Sequence, residues 1–167
     1  FQNIYRKVEV KESKYTLTPM ERCYSLYKAI KYITKGGILG DIVECGVWRG
    51  GSAMLAALTL SKSQQTHRKI YLYDTYEGMS EPTDKDIDIH GVPYRLLWKK
   101  EKEFLSVSLD EVKKNIFSTG YPKENIIFVK GMVQDTIPNT VPKQIALLRL
   151  DTDLYESTYH ELFHLYP

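Results

Sequence analysis

The sequence has little of what marks a secreted, membrane-bound or nucleic-acid-binding chain. Among 167 residues only Cys23 and Cys45 are cysteines, too few for a disulfide framework. Both fall in apolar periodic segments, which suits buried free thiols of a reducing compartment. No apolar run approaches the roughly 20 residues needed to cross a bilayer, and the opening segment Phe1-Gln2-Asn3-Ile4-Tyr5-Arg6-Lys7 lacks a signal-peptide core. The expectation is a cytoplasmic protein without membrane attachment. Charge of one sign is scarce as well: 23 Lys and Arg stand against 21 Asp and Glu, a net charge of +2. The basic residues are interleaved with acids, as in Lys99-Lys100-Glu101-Lys102-Glu103, so no extended field draws in nucleic acid. Internal repeats and low-complexity tracts are missing. What is present, 43% hydrophobic and 26% charged residues, suffices for the core of one ordinary domain.

The order of elements follows from periodicity and punctuation. Thr18-Pro19-Met20-Glu21 predicts a helix start with a hydroxyl cap, a proline in the first turn and a glutamate completing a capping box. Met20, Cys23, Tyr24, Tyr27, Ile30 and Ile33 then recur at helical spacing, and Gly36-Gly37 supplies the stop. Residues 1–36 therefore read as an N-terminal helical segment and 37–167 as an α/β domain. Apolar runs at 41–47, 70–74, 126–131 and 145–151 read as strands. A small-residue helix follows the first, a helix capped by Ser108 and Glu111 precedes the third, and a helix from about Glu156 to Tyr166 follows the fourth. Strands alternating with helices imply a parallel sheet. The stretch from Met79 to Phe104 is too long for an ordinary connection and reads as a lid or substrate loop. The sequence opens without Met and stops at what looks like a helix end, so a fragment, truncated after the fourth strand and its helix, is expected.

In open α/β sheets ligands lie beyond the carboxyl ends of the strands, and here those ends are acidic. The first strand ends at Glu44 and Gly46, the second at Asp74, and the third is followed by Gln134 and Asp135. The fourth ends at Asp151, with Asp153 two residues on. The turn after the first strand carries Gly46, Gly50, Gly51 and Ser52 at a helix start, where exposed backbone N–H groups are available. It lacks the paired glycines of a dinucleotide turn and has a glutamate instead, which suits a ligand bearing an amino group. Asp74 stands where nucleotide-binding folds place an acid to take two ribose hydroxyls; the competing reading is a turn aspartate.

Four segments, GDIVECGVWRGGS (40–52), YDTYEGM (73–79), GMVQDTIP (131–138) and LDTDLYEST (150–158), together resemble the macrocin O-methyltransferase family of class I S-adenosylmethionine-dependent methyltransferases. The resemblance implies a Rossmann-like class I methyltransferase sheet with flanking helices. It also implies methyl transfer from S-adenosylmethionine to a hydroxyl of a small molecule, such as a sugar of a natural product, assisted by a divalent cation such as Mg2+. Carried over by position, it sets Glu44, Gly46 and Ser52 around the methionine part of the cofactor, Asp74 on its ribose, and Gln134 and Asp135 near its adenine. Asp151 becomes a metal ligand and Asp153 a candidate general base. Relatives continue into a fifth strand whose paired aspartates complete the metal site. Expected partners are a small-molecule acceptor, no nucleic acid and no membrane, with homo-oligomerisation left open.

Other readings compete. A nicotinamide-dependent oxidoreductase would share the sheet, but the glutamate in the first turn argues against it; a non-catalytic S-adenosylmethionine-binding domain would share the cavity. His160-Glu161-Leu162-Phe163-His164 fits the H-E-x-x-H zinc pattern. An apolar stripe of Tyr155, Tyr159, Leu162, Phe163 and Tyr166 would leave both histidines on a flank, and the third ligand would have to come from elsewhere. His67 and His90 fall in loops, and Tyr76, Tyr94 and Trp98 are candidates for an acceptor pocket.

Overall fold

The computed structural model describes residues 1–8 and 15–166, the side chain of Lys100 excepted. Residues 9–14 of the expected N-terminal segment and Pro167 therefore lie outside the described residues. Helices α1 (Gln2–Val8) and α2 (Met20–Lys35) precede β1 (Asp41–Cys45), α3 (Gly51–Lys62) and β2 (Ile70–Asp74). Next come α4 (Arg95–Leu105), α5 (Leu109–Phe117), β3 (Ile126–Lys130), α6 (Val133–Thr136), β4 (Ile145–Leu150) and α7 (Tyr155–Leu165). The four strands form one parallel sheet in the order β3-β2-β1-β4. All four carboxyl ends thus open on the same side, as expected for a class I methyltransferase sheet.

Period-two alternation along each strand supplies two cores. Ile42, Ile70 and Leu72 face one way and pack with Ala53, Leu55, Ala56 and Leu60 of α3 and with Ile4, Val8, Cys23, Ile30 and Ile33 of α1 and α2. Val43, Cys45, Tyr73 and Val129 face the other way, against Val133, Ile137 and Leu165. The central strands are covered on both faces, which is why they read as near-continuous apolar runs. Both cysteines are buried and free. No helix among the described residues is long and apolar enough to cross a membrane.

The α2 stop forms as expected: Gly37 takes a left-handed φ of 62°, with Ile38 N–H donating to Ile33 and Gly37 N–H to Thr34, the paired bonds of a glycine-terminated helix. The α2 start does not. Thr18 makes no side-chain cap and Pro19 occupies the cap position, because the Thr18 hydroxyl lies 3.4 Å from Arg149 Nη2. Ser108 does cap α5, accepting from Glu111 N–H at 3.3 Å.

The segment read as one long loop contains α4, none of whose described side chains is buried. The expected apolar stripe of α7 faces outward: Tyr159 is 57% and Phe163 70% exposed. The helix packs instead through Leu154, Ser157, Glu161 and Leu165, since spacing of three and four puts those positions on the sheet side.

Candidate functional site

The strand ends build the site by continuing their ladders outward. Gly46 N–H donates to Tyr73 O, Gly131 N–H to Asp74 O and Asp151 N–H to Cys45 O, so each tip residue is fixed to its neighbour strand. A β-carbon on Gly46 would lie 2.2 Å from the Asp151 carbonyl oxygen. This glycine thus permits the close approach of the backbone segments that leave β1 and β4. Gly51, which opens α3, donates its N–H to Tyr15 O at 2.8 Å. One of the free donors at that helix start is therefore taken by the N-terminal segment.

Above these tips lies a cavity of about 300 Å³, within the range of small-molecule sites. It is lined by Glu44, Gly46, Ser52, Asp74, Gln134, Asp151 and Asp153, together with Arg22, Trp48, Arg149 and the segment from Tyr15 to Pro19. Seven of the eight residues singled out in the sequence meet here. Asp135 does not line the cavity; it is exposed, because on the single turn of α6 the residue after Gln134 is rotated about 100° away. Tyr76, Tyr94 and Trp98 do not line it either: Tyr76 is buried with its hydroxyl on Leu72 O, and Trp98 donates to Met79 O.

Asp74 is engaged before any ligand arrives. Its Oδ2 accepts from the N–H groups of Val47 at 2.7 Å and Trp48 at 3.1 Å, and its Oδ1 from Tyr76 N–H at 2.8 Å. Three of the about four acceptor positions on this carboxylate are thus taken by the backbone. Trp48 and Tyr76 have φ of 48° and 55°, conformations costly for bulky residues, and this carboxylate holds both.

Arg149, which the sequence reading passed over, organises the other acids. Its Nη1 lies 2.8 Å from Glu44 Oε1 and its Nη2 2.7 Å from Asp151 Oδ2. Burial pushes the Glu44 carboxyl up to about 7 even though Arg149 pulls it back, with Asp151 and Asp74 adding to the rise. Desolvation opposes the charge of Arg149, but Glu44 and Asp151 hold its pKa above the ordinary value. Asp153, in a left-handed conformation with φ of 65°, is held above the usual carboxylate range by desolvation and by the nearby Asp151 and Glu101. The signal for Arg149 was one charged residue inside an otherwise apolar strand.

On the far face of the sheet His160 Nε2 sits 2.9 Å from the Ile137 carbonyl. Glu161, fully buried, receives the Thr152 hydroxyl at 3.2 Å, so it faces the sheet and not the histidine pair. Among the described residues no three His, Cys, Asp or Glu side chains gather as a metal would require. Asp151 has a guanidinium for its partner, and the donor set present does not fit a divalent cation.

The family model described as Macrocin-O-methyltransferase (TylF) matches residues 7–167. The chain belongs to that family. It is 33% identical over 153 residues, 92% of this chain and 58% of the relative, to 8-demethyl-8-(2,3-dimethoxy-alpha-L-rhamnosyl)-tetracenomycin-C 4'-O-methyltransferase of Streptomyces olivaceus. It is 30% identical to mycinamicin III 3''-O-methyltransferase of Micromonospora griseorubida, across 92% of this chain and 60% of that one. The solved structure of the O-methyltransferase NovP superposes with a TM-score of 0.80 at 30% identity, covering 92% of this chain and 62% of NovP. This member of the family thus spans about three fifths of the length of the relatives it matches.

Proposed function

We propose that this protein transfers a methyl group from S-adenosylmethionine to a hydroxyl of a small molecule, with a sugar hydroxyl as the acceptor class. The observation that carries the reading is an acid-lined cavity at the strand ends in a chain of this family. Relatives named for methylating sugar positions supply the acceptor class. S-adenosylmethionine contributes an electrophilic methyl group on a cationic sulfur. The chain's own groups suit such a ligand. Glu44 keeps one oxygen for an ammonium group, and Gly46 and Ser52 wall the amino-acid portion. Asp74 offers its remaining acceptor position to one ribose hydroxyl, and Gln134 edges the region where a base would lie.

The acceptor hydroxyl needs to be aimed and relieved of its proton as the new bond forms. Asp153, at the mouth of the cavity and with its affinity for a proton raised, is the group assigned to receive it. The acids of the rim complement a cationic donor, and Asp151 is held by Arg149.

The test is incubation of the protein with methyl-labelled S-adenosylmethionine and a panel of glycosides bearing free sugar hydroxyls. Label in the glycoside, strongly reduced by Asp153→Asn with S-adenosylhomocysteine binding intact, supports the reading. Cofactor binding without transfer to any hydroxyl would favour the non-catalytic binding domain.

A further inference from the structure

The cavity floor contains a charged residue that neither the family description nor the sequence motifs assign. Arg149 sits in β4 among Ile145, Ala146, Leu147, Leu148 and Leu150, a place where a charge is costly unless fully paired. Its pairing is built into the sheet: Arg149 and Glu44 are direct register partners on β4 and β1, so their side chains rise on the same face. The Arg149 side chain is 19% exposed and that of Glu44 5%. One arm of the fork holds Glu44 Oε1 at 2.8 Å, and the other holds Asp151 Oδ2 at 2.7 Å and reaches Thr18 Oγ1 at 3.4 Å. A planar guanidinium tied at both arms cannot turn without breaking one of the pairs. Glu44 is thereby fixed through one oxygen; Oε2 has no hydrogen-bond partner among the described residues, and Glu44 lines the cavity.

We propose that Arg149 is a positioning residue: it clamps Glu44 so that Oε2 forms the subsite for the alkylammonium group of an amino-acid-bearing ligand. The inference rests on the S-adenosylmethionine reading of the cavity and adds a selectivity to it. The ammonium is recognised by an acid that Arg149 orients from behind, and the same guanidinium ties that acid to Asp151 on the acceptor side and to Thr18 of the N-terminal segment.

The experiment compares two probes by calorimetry: S-adenosylhomocysteine, which carries the ammonium, and methylthioadenosine, which lacks the whole amino-acid end. The preference for S-adenosylhomocysteine should fall about tenfold in Arg149→Met, the scale of one charged hydrogen bond, with methylthioadenosine affinity unchanged. Arg149→Lys, which keeps the charge but not the fork, should recover only part of the ratio. It also serves where Arg149→Met does not fold. Glu44→Gln should lower the ratio to a similar degree, and combining it with either Arg149 variant should add no further loss, since both changes remove one interaction. An equal fall for both probes, a rise in S-adenosylhomocysteine affinity, or additive losses would overturn the proposal. Wild-type protein that binds neither probe would instead remove the cofactor reading on which it rests.

Discussion

Asp74→Ala is expected to cost the fold before it costs the ligand. The Asp74 carboxylate accepts three backbone N–H groups, those of Val47, Trp48 and Tyr76, and two of the donors belong to left-handed residues. A hydrogen bond to a charged group contributes roughly 1.5–3 kcal/mol net, so losing all three at a half-exposed site should cost about 3–5 kcal/mol once water has satisfied part of the deficit. Asp74→Asn keeps an oxygen that can still receive Val47 and Trp48, but it presents its amide hydrogens to Tyr76 N–H. Its cost should be about 1–2 kcal/mol. Urea denaturation with constant slope reads both values, and titration with S-adenosylhomocysteine on the same samples reads the site. The predicted order is wild type, Asn, Ala in both measurements. An Asp74→Ala protein within about 0.5 kcal/mol of wild type would refute the turn-holding role. Loss of ligand binding at unchanged stability would mean that the acid acts on the ligand and not on the turn.

Three further changes test other parts of the structure. Gly46→Ala puts a methyl group against the Asp151 backbone at a φ of 82° and should destabilise by at least about 3 kcal/mol in the same denaturation assay; a change below about 1 kcal/mol would mean that the backbone beyond β1 and β4 does not approach so closely. Asp86 accepts from Tyr155 N–H at the start of α7 and from Thr83, so Asp86→Ala should cost about 1–3 kcal/mol and speed proteolysis within residues 79–94, whereas an unchanged cleavage rate would exclude that tie. Burial raises the Glu161 carboxyl from 4.5 to about 7. Between those values the folded protein keeps a proton that the unfolded chain has released, so the stability this group contributes is full below pH 4.5 and lost as pH rises through 7. Glu161→Gln should flatten that slope and raise stability at pH 8 by on the order of 3 kcal/mol; parallel curves for the two proteins would exclude Glu161 as the source.

Much of this was legible because local pattern and tertiary role coincided. Runs such as 41–47 and 70–74 are apolar because both sheet faces are covered, and the residues just beyond them are polar because they end at a cavity. Gly36 and Gly37 announced the α2 stop because glycine's freedom at positive φ is a local property. Other features depended on partners that no local window contains. The Thr18 hydroxyl reads as a cap until Arg149, 131 residues away, draws it off. Whether Gln134 or Asp135 meets the cavity depends on the rotation of a one-turn helix, which spacing alone does not fix. Helix α4 was missed although Leu97, Trp98, Phe104 and Leu105 recur at helical spacing, because its start at Tyr94 carries no side-chain cap to announce it. The outward aromatic ladder of Tyr155, Tyr159 and Phe163, with successive ring centroids 6.1 and 6.4 Å apart, has the period of a buried stripe without being buried. Asp74 shows the same limit within one residue: its position at the strand tip was readable, but the three amides that occupy its oxygens were not.

The cavity at the ends of β1, β2 and β4 is the proposed S-adenosylmethionine site. Calorimetric titration of the protein with S-adenosylmethionine, S-adenosylhomocysteine and NAD tests it most directly. Saturable one-to-one binding of the two sulfur ligands, weakened by substitution of Glu44, is expected, with none of NAD. Binding of NAD in their place, or sulfur-ligand binding that Glu44→Gln leaves unchanged, would contradict it.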